Sequence, residues 1–311
     1  MNFSASEVGF RSPFPRSALA ETVCVSQLGL GTGRIASLGA ALSRKESSRL
    51  IQTALDCGIT TIDTADTYGS GDSERLIHYG LGSRRRESFL MTKAGFPYAS
   101  WPSFLSPANQ IAKKLIQRIS PRQTLSRRYL VRAVERSLRR LGTNYVDAFF
   151  LHEPFRALLT PESWAALDQI RASGKSRMTG VSTADPAVLA DGLSSGQVQI
   201  VQTPVSIQAE HSAEILRMCS EANIPVVANE VLRPRVMLSE HREIWTKILT
   251  SSGFQQDATV PALIAYAKLQ PAVQCVLSGT KSRDHLLENL KSIEDAERFR
   301  PACAAVNSAF Q

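Results

Sequence analysis

The 311-residue chain is long enough for one large domain or two, and 43% of its residues are hydrophobic and 21% charged, as in soluble globular proteins. No apolar run approaches the roughly 18 residues of a membrane span, and residues 1–20 lack the apolar segment of a secretory signal. Five scattered cysteines without a Cys-x-x-Cys pair argue against a disulfide framework or a structural zinc site. We therefore expect a cytoplasmic protein with reduced cysteines, no metal and no membrane contact.

The formal charge of +8 suits an anionic cofactor or substrate, and much of it is local. Residues 113–140 contain ten basic residues and one acidic residue, Glu135. A solvated helix face with a basic loop explains this run most simply, and attraction of an anionic substrate is the alternative. Tyr129 is the only aromatic residue in the run, whereas a surface that stacks nucleic acid bases needs several, so no nucleic-acid partner is expected.

Apolar, β-branched runs alternate along the chain with segments of helical periodicity. Strands are predicted over residues 22–30, 60–62, 88–92, 146–151, 178–181, 199–202, 225–228 and 274–277. Helices are predicted over residues 43–57, 73–80, 126–142, 162–172, 186–193, 213–222, 260–269 and 283–293.

Eight strand and helix pairs follow one another without a composition change that would mark a domain boundary. This alternation predicts an α/β fold, a (β/α)8 TIM barrel of parallel strands, because an open sheet of eight such units is less usual. We expect a single domain over residues 1–311 with its core at about 22–293. An N-terminal strand or hairpin would precede the barrel, and residues 294–311 would form a C-terminal extension packed outside it.

The first predicted strand ends in glycines that match the dinucleotide pattern G-x-G-x-x-A at residues 31–36. A Rossmann turn requires a helix that begins on those glycines, yet the next predicted helix begins only near Ser43. A glycine-rich strand exit that passes close to a ligand is therefore the preferred interpretation.

Residues 96–125 contain four prolines and no clear periodicity. Such a long irregular segment in a compact domain is typical of a functional lid. We expect Trp101 and Phe104 to contact the substrate, and the basic residues of the segment to favour anionic substrates. An insertion without a catalytic part is the alternative.

Titratable side chains stand at or just beyond the ends of three neighbouring predicted strands: Asp63, Tyr68, Lys93 and His152. Each alone has an ordinary structural explanation, such as a turn cap or a lysine that reaches solvent. In a parallel barrel, however, these strand ends share the rim that carries active sites. The Lys93 ammonium is expected to lower the pKa of the phenol, Asp63 to anchor the ammonium, and His152 to hydrogen-bond a substrate oxygen. That set suits a proton-donating tyrosine.

The sequence resembles the aldo-keto reductases, NADP(H)-dependent oxidoreductases on a (β/α)8 barrel, over about residues 22–293. The matching segments are LGLGTG at 28–33, IDTADTYGSGDSE at 62–74, MTKAG at 91–95, YVDAFFLHEP at 145–154, TGVST at 179–183, VQTPVS at 201–206 and VLSGTKSRDHLLENL at 276–290. The resemblance implies reduction of an aldehyde or ketone to an alcohol, or the reverse, by hydride transfer from NADPH. Asp63, Tyr68, Lys93 and His152 would be the catalytic tetrad, with Tyr68 as general acid and base.

The resemblance also implies the residues that bind the cofactor. Ser182 and Gln202 would hold the nicotinamide carboxamide. The further cofactor residues would be Gly31, Thr32, Asp63, Ser278, Gly279, Thr280, Lys281, His285, Glu288 and Asn289. Tyr68, His152, Trp101 and Phe104 would meet a small carbonyl or alcohol substrate, and the protein would be a monomer or a weak homo-oligomer.

Some positions depart from the family pattern. Thr183 stands where many members have Asn, and Asn229 occupies the position of an aromatic residue that often stacks on the nicotinamide. An aliphatic residue such as Val231 or Leu232 is expected to pack the ring instead.

The site for the 2′-phosphate departs from the pattern as well. His285 replaces an arginine of some members, which leaves the 2′-phosphate to Lys281 and Arg283.

Two other functions fit parts of the pattern. A nicotinamide-sensing regulatory protein of the same fold, similar to potassium-channel beta subunits, would bind the cofactor without turnover. A Schiff-base aldolase would use Lys93 as its nucleophile, although such an enzyme does not need the SGTKSRDHLLENL segment.

Overall fold

The computed structural model describes residues 25–36, 41–97, 123–207, 209, 211–233, 238 and 241–310. Its eight parallel strands close into a barrel in sequence order, with β8 paired to β1. The strands are β1 Leu28–Gly31, β2 Thr61–Asp63, β3 Phe89–Ala94, β4 Val146–His152, β5 Ser176–Ser182, β6 Ile200–Pro204, β7 Val226–Asn229 and β8 Val273–Ser278. The (β/α)8 prediction is thus confirmed. The first strand begins later than predicted, and the N-terminal strand or hairpin expected before the barrel lies outside the described residues, apart from residues 25–27.

Helices surround the barrel between the strands. They are α1 Arg44–Asp56, α2 Asp72–Leu81, α3 Arg127–Leu141, α4 Pro161–Ala172, α5 Pro186–Ser195, α6 Ser212–Glu221, α7 Arg242–Ser251, α8 Thr259–Lys268, α9 Arg283–Glu294 and α10 Arg300–Phe310. Sequence reasoning missed α7, although Trp245, Ile248 and Leu249 are buried at the spacing of one helical face.

Local sequence explains where several helices begin and end. The N-terminus of α1 is fixed by a capping box, in which Ser43 and Glu46 satisfy each other's backbone N–H groups. Ser126 caps α3, and this helix ends at Gly142, whose φ of 62° is in the left-handed region that glycine tolerates best.

The core has an inner and an outer layer. Inside the barrel, side chains such as Phe89, Met91 and Phe150 form one apolar cluster, and a second, larger cluster fills the space between strands and helices. Neighbouring strands approach so closely at Gly180 that a Cβ on this residue would collide with the carbonyl oxygen of Ile200. Only glycine fits at that point of β5.

The chain after α9 packs outside the barrel, as expected for the C-terminal extension. A 3₁₀ turn at Ala296–Phe299 and α10 form a third apolar cluster with α7 and α8. The rings of Phe254 and Phe299 stack within it, with centroids 4.2 Å apart.

A buried ion pair lies between the helices and the barrel, next to β3. Glu74 of α2 is fully buried, accepts a hydrogen bond from Thr92 at 2.8 Å, and pairs with Nε of Arg140 at 2.5 Å. A buried carboxylate requires such partners, because water does not reach it. The pair therefore ties α2 and α3 to β3.

In the part of the chain that the structure describes, no helix is long and apolar enough to cross a membrane. The same residues contain no group of three or more His, Cys, Asp or Glu side chains placed to hold a metal ion. Four of the five cysteines are described, and each is a free thiol.

Candidate active site

The strand register brings the sequence-predicted catalytic side chains together at one end of the barrel. Asp63 is the last residue of β2 and His152 the last of β4, while Lys93 lies one residue before the end of β3. Side chains alternate between the two faces of a strand, so Lys93 continues the inward-facing series of Phe89 and Met91. The lysine therefore points into the barrel and not to solvent, and only 1% of its surface is exposed.

Lys93 and Asp63 form a buried ion pair. Nζ of Lys93 donates to Oδ1 and Oδ2 of Asp63 at 2.6 and 2.7 Å, and to the carbonyl oxygen of Thr64 at 3.0 Å. Burial by itself lowers the pKa of Lys93, but the charge of Asp63 raises it, and Tyr68 adds to the rise, so the net pKa is above the ordinary value. Lys93 therefore remains an ammonium group.

Tyr68 follows β2 in a 3₁₀ turn and presents its ring to this ion pair. Nζ of Lys93 lies 5.2 Å from the ring centroid, and the ring of His152 meets it edge-on with centroids 6.0 Å apart. On the other side the ring packs against Gly33, where a Cβ would lie in ordinary van der Waals contact with the ring at 3.5 Å.

The expectation that Lys93 lowers the pKa of the Tyr68 phenol is wrong in its net direction. The Lys93 charge does lower the pKa, but burial and the Asp63 carboxylate raise it more, and the pKa lies above its ordinary value. The physical reason is that burial of the phenol disfavours its ionised form, and that Asp63, at hydrogen-bond distance from Lys93, offsets part of the lysine's charge. Tyr68 thus holds its proton at neutral pH, as a proton donor must.

A chain of polar contacts extends from the ion pair across the rim to β5 and β6. Nε2 of Gln202 donates to Oδ1 of Asp63 at 2.9 Å, and Oγ of Ser182 donates to Oε1 of Gln202 at 2.8 Å. The Gln202 amide keeps one N–H and one lone pair for a further partner. Thr183, one of the departures from the family pattern, instead accepts a hydrogen bond from the backbone N–H of Asp185 at 3.0 Å.

These residues line a cleft of about 840 Å³. Its lining includes Gly31, Gly33, Arg34, Asp63, Tyr68, Lys93, His152, Glu153, Ser182, Gln202, Asn229, Glu230, Val231, Leu232, Arg233, Leu277 and Gly279. All four predicted tetrad residues are therefore in one cavity, together with the two residues expected to hold the nicotinamide.

A second cleft of about 880 Å³ shares Arg34, Leu232 and Gly279 with the first. Its lining includes seven of the further predicted cofactor residues: Ser278, Gly279, Thr280, Lys281, His285, Glu288 and Asn289. The resemblance implies that most of these residues meet the adenosine half of the cofactor, so we call this cleft the adenosine cleft. Within this group, Nδ2 of Asn289 donates to Oγ of Ser278 at 2.6 Å. Arg283, expected to meet the 2′-phosphate with Lys281, is not part of this lining.

One predicted cofactor residue is directed elsewhere. Thr32 is fully buried. Its hydroxyl group donates a hydrogen bond to the carbonyl oxygen of Asp63 at 2.8 Å and accepts one from the hydroxyl group of Ser73 at 2.7 Å. Its side chain therefore links β1 to β2 and α2 and does not line either cleft.

Comparison with known proteins tests the resemblance to the aldo-keto reductases. The aldo/keto reductase family model matches residues 27–299, which is most of the chain. The chain belongs to the aldo/keto reductase family.

Several members of the family are similar along nearly their whole length. The NADH-specific methylglyoxal reductase of Escherichia coli is 29% identical, with 87% of this chain and 90% of that protein covered. The holo form of aldo-keto reductase AKR11C1 from Bacillus halodurans shares the fold with a TM-score of 0.73 at 22% identity, covering 93% and 94% of the two chains. An aldo/keto reductase of Klebsiella pneumoniae, solved with NADP and acetate, has a TM-score of 0.66 at 23% identity, with 92% of each chain covered.

In this aldo/keto reductase, the structure also shows two phenylalanines near His152 that sequence reasoning missed. Phe96 packs edge-on against His152, with centroids 5.7 Å apart, and against Phe155 at 6.4 Å. Phe155 is 51% exposed, an unusual exposure for a large apolar side chain. The sequence could have indicated both phenylalanines, because each lies three residues after a predicted catalytic residue, Lys93 or His152. Trp101 and Phe104, expected to contact the substrate, lie outside the described residues.

Charged residues of the cleft were missed as well. Arg34 follows the glycines of the first strand exit, and Glu153 and Glu230 follow the ends of β4 and β7. Both glutamates have a positive φ, 44° and 53°, in the region that residues other than glycine rarely adopt. The sequence could have predicted both glutamates as cleft residues, because each directly follows the end of a strand.

Proposed function

We propose that this aldo/keto reductase uses NADPH to reduce a small aldehyde or ketone to an alcohol, or catalyses the reverse reaction, with Tyr68 as general acid and base. The observation that carries the proposal is the protonated Tyr68 phenol beside the Lys93–Asp63 ion pair, in a cleft continuous with a second cleft that basic side chains line. The first cleft contains the proton donor, and the second cleft has room for the part of a dinucleotide that extends beyond the nicotinamide.

The residues present fit a nicotinamide cofactor. The side-chain oxygen of Asn229 is buried in the catalytic cleft and has no hydrogen-bond partner among the residues that the structure describes. Together with the remaining N–H and lone pair of Gln202, it offers the acceptors and the donor that a carboxamide requires. Where the two clefts meet, Gly31 and Gly279 present bare backbone, and Arg34 adds a cation suited to a pyrophosphate.

When bound, the cofactor would supply the hydride, and this chain would supply the proton. Tyr68 donates its phenolic proton to the carbonyl oxygen as negative charge develops there, and His152 hydrogen-bonds the same oxygen. Lys93 stabilises the tyrosinate that results, and Asp63 holds Lys93 in position. Phe96 packs against His152 and Phe155 packs against Phe96, so the two rings form an apolar surface next to the histidine. We keep Trp101 and Phe104 as further predicted substrate contacts.

We propose a preference for NADPH over NADH. Aldo/keto reductases use NADP(H), and the second cleft is lined by basic side chains, including Lys281, His285, Lys291 and Arg298, that would attract a 2′-phosphate. The methylglyoxal reductase of Escherichia coli is described as NADH-specific, so similarity to relatives does not decide between NADPH and NADH. The cofactor preference of this chain is therefore tested by substituting its own cleft residues.

The test is a panel of aldehydes and ketones incubated with the purified protein and NADPH, with the loss of NADPH absorbance as the readout. We expect turnover of at least part of the panel, and turnover in the reverse direction with the matching alcohols and NADP. Binding of NADPH without any turnover would favour the nicotinamide-sensing alternative. Trapping of Lys93 by borohydride with a carbonyl would favour the aldolase, although its raised pKa leaves too little free amine for a Schiff base.

A further inference from the structure

Glu153 is the one carboxylate of the catalytic cleft that forms no ion pair with any residue the structure describes. Asp63 is paired with Lys93, and Glu230 with Arg233 at 2.5 Å. Arg34 lies where the catalytic cleft meets the adenosine cleft, on the side of the predicted cofactor phosphates. At the substrate end, therefore, the local charge of the described residues is negative.

The backbone holds Glu153 in place at the end of β4. Its N–H donates to the carbonyl oxygen of Ser182 at 2.8 Å, and its own carbonyl accepts from Nε2 of Gln123 at 2.9 Å. The same Gln123 amide also donates to the carbonyl of His152 and accepts from the N–H of Phe155 at 2.7 Å. This clamp maintains the positive φ of Glu153, a strain that residues at ligand sites commonly carry.

The negative charge of Glu153 is not balanced by the positive charges around it. Although Glu153 is exposed at the mouth of the cleft, partial desolvation by its surroundings and the charge of Glu230 raise the pKa of its carboxyl group above the ordinary value. The charges of Lys93 and Arg233 lower the pKa of Glu153 without cancelling the rise. A cation brought into the cleft would therefore find an unneutralised carboxylate next to His152.

We propose that Glu153 sets the substrate charge preference of this enzyme, so that it favours carbonyl compounds with a cationic group over those with a carboxylate or phosphate. The inference rests on the proposed reductase function, since the selected molecule is its substrate. It is opposite to the preference for anionic substrates expected from the basic segment at residues 96–125. Most of that segment lies outside the described residues, whereas Glu153 adjoins the catalytic histidine.

The test compares three aldehydes of nearly the same shape: benzaldehyde, 4-carboxybenzaldehyde and 4-(trimethylammonio)benzaldehyde. With NADPH, we expect the wild type to favour the cation. The electron-withdrawing trimethylammonio group also makes that aldehyde intrinsically more reactive, so the readout is the change in the cation-to-anion ratio of kcat/KM between enzymes. Glu153→Gln should lower that ratio by about five- to tenfold from the wild-type value, the effect of one nearby charge at a partly exposed site. Added salt should weaken the preference in the wild type alone.

Glu294→Gln is the matched control, because this exposed glutamate ends α9, away from the cleft. It should keep the wild-type ratio. A wild type that prefers the anion, or a Glu153→Gln variant with an unchanged ratio, would overturn the inference while benzaldehyde turnover upheld the reductase.

A binding measurement covers the case in which no aldehyde is reduced, which would reject the proposed function itself. Calorimetry with benzyltrimethylammonium and with benzoate reports the charge preference of the cleft without turnover. We expect tighter binding of the cation and loss of that difference in Glu153→Gln. Equal binding of both ions by the wild type would reject the charge preference independently.

Discussion

Nζ of Lys93 lies 2.6 Å from Oδ1 and 2.7 Å from Oδ2 of Asp63, and both side chains are almost completely buried. This pairing and the burial of the site set the protonation states of Lys93 and Tyr68. Asp63 stabilises the Lys93 ammonium, and burial together with the Asp63 charge outweighs the effect of Lys93 on Tyr68, so the phenol keeps its proton. The site therefore starts with a neutral phenol and a paired ammonium, which are the states needed to protonate a carbonyl oxygen.

Tyr68→Phe is expected to lower kcat for carbonyl reduction by about 10² to 10⁴-fold, because it removes the general acid and keeps the packing of the ring against Gly33 and His152. Steady-state kinetics on the best substrate of the panel checks the rate, and fluorescence titration with NADPH checks that cofactor binding is retained. Near-wild-type turnover of a variant that binds NADPH would remove Tyr68 from the mechanism.

The pH dependence should follow the raised pKa of Tyr68. A raised pKa means that the phenol stays protonated to higher pH, so kcat/KM for reduction should be level through neutral pH and fall only above the ordinary tyrosine value of 10.0. Oxidation of the alcohol needs the phenolate and should become faster over the same alkaline range. Profiles in both directions, with Tyr68→Phe as reference, check this. A fall in reduction that begins below neutral pH would assign the proton to another group.

Lys281→Ala should weaken NADPH binding by about tenfold and leave NADH binding within about twofold, because Lys281 lines the adenosine cleft and its charge favours a 2′-phosphate. Arg283→Ala is a matched control, since Arg283 begins α9 but is not part of the lining. The measurement is the dissociation constant of each variant for NADPH and for NADH. Equal losses for NADPH and NADH in Lys281→Ala would exclude a role in phosphate recognition, and a selective NADPH loss in Arg283→Ala would move that role to Arg283.

Arg140→Met should reduce the free energy of unfolding by about 3 to 5 kcal/mol, because it leaves the fully buried Glu74 carboxylate without its cation. Urea unfolding followed by circular dichroism measures the loss. The double variant Glu74→Gln with Arg140→Met should recover part of it, since an amide costs less to bury than a charge. If the two substitutions proved additive, the ion pair would not be the source of the destabilisation.

Much of the fold and of the tetrad could be predicted from the sequence, because the relevant signals are local. Alternation, helical periodicity and caps such as Ser43 and Ser126 depend on residues a few positions apart. Parallel strands in a barrel also have a fixed polarity, so a side chain directly after a strand must lie on the catalytic rim. For that reason Asp63, Lys93 and His152 could be assigned to one site without a structure.

Other features depend on contacts between distant parts of the chain, and only the tertiary structure decided them. Gln202 bonds to Asp63 across 139 positions of sequence, and Thr32 is turned away from the cleft by its bonds to β2 and α2. The pKa of Tyr68 rises because burial and Asp63 outweigh Lys93, a balance of desolvation and charge that residue order does not contain. The exposure of an unpaired Glu153 to the cleft likewise follows from a backbone held by Gln123, in the segment before α3, and by Ser182 of β5.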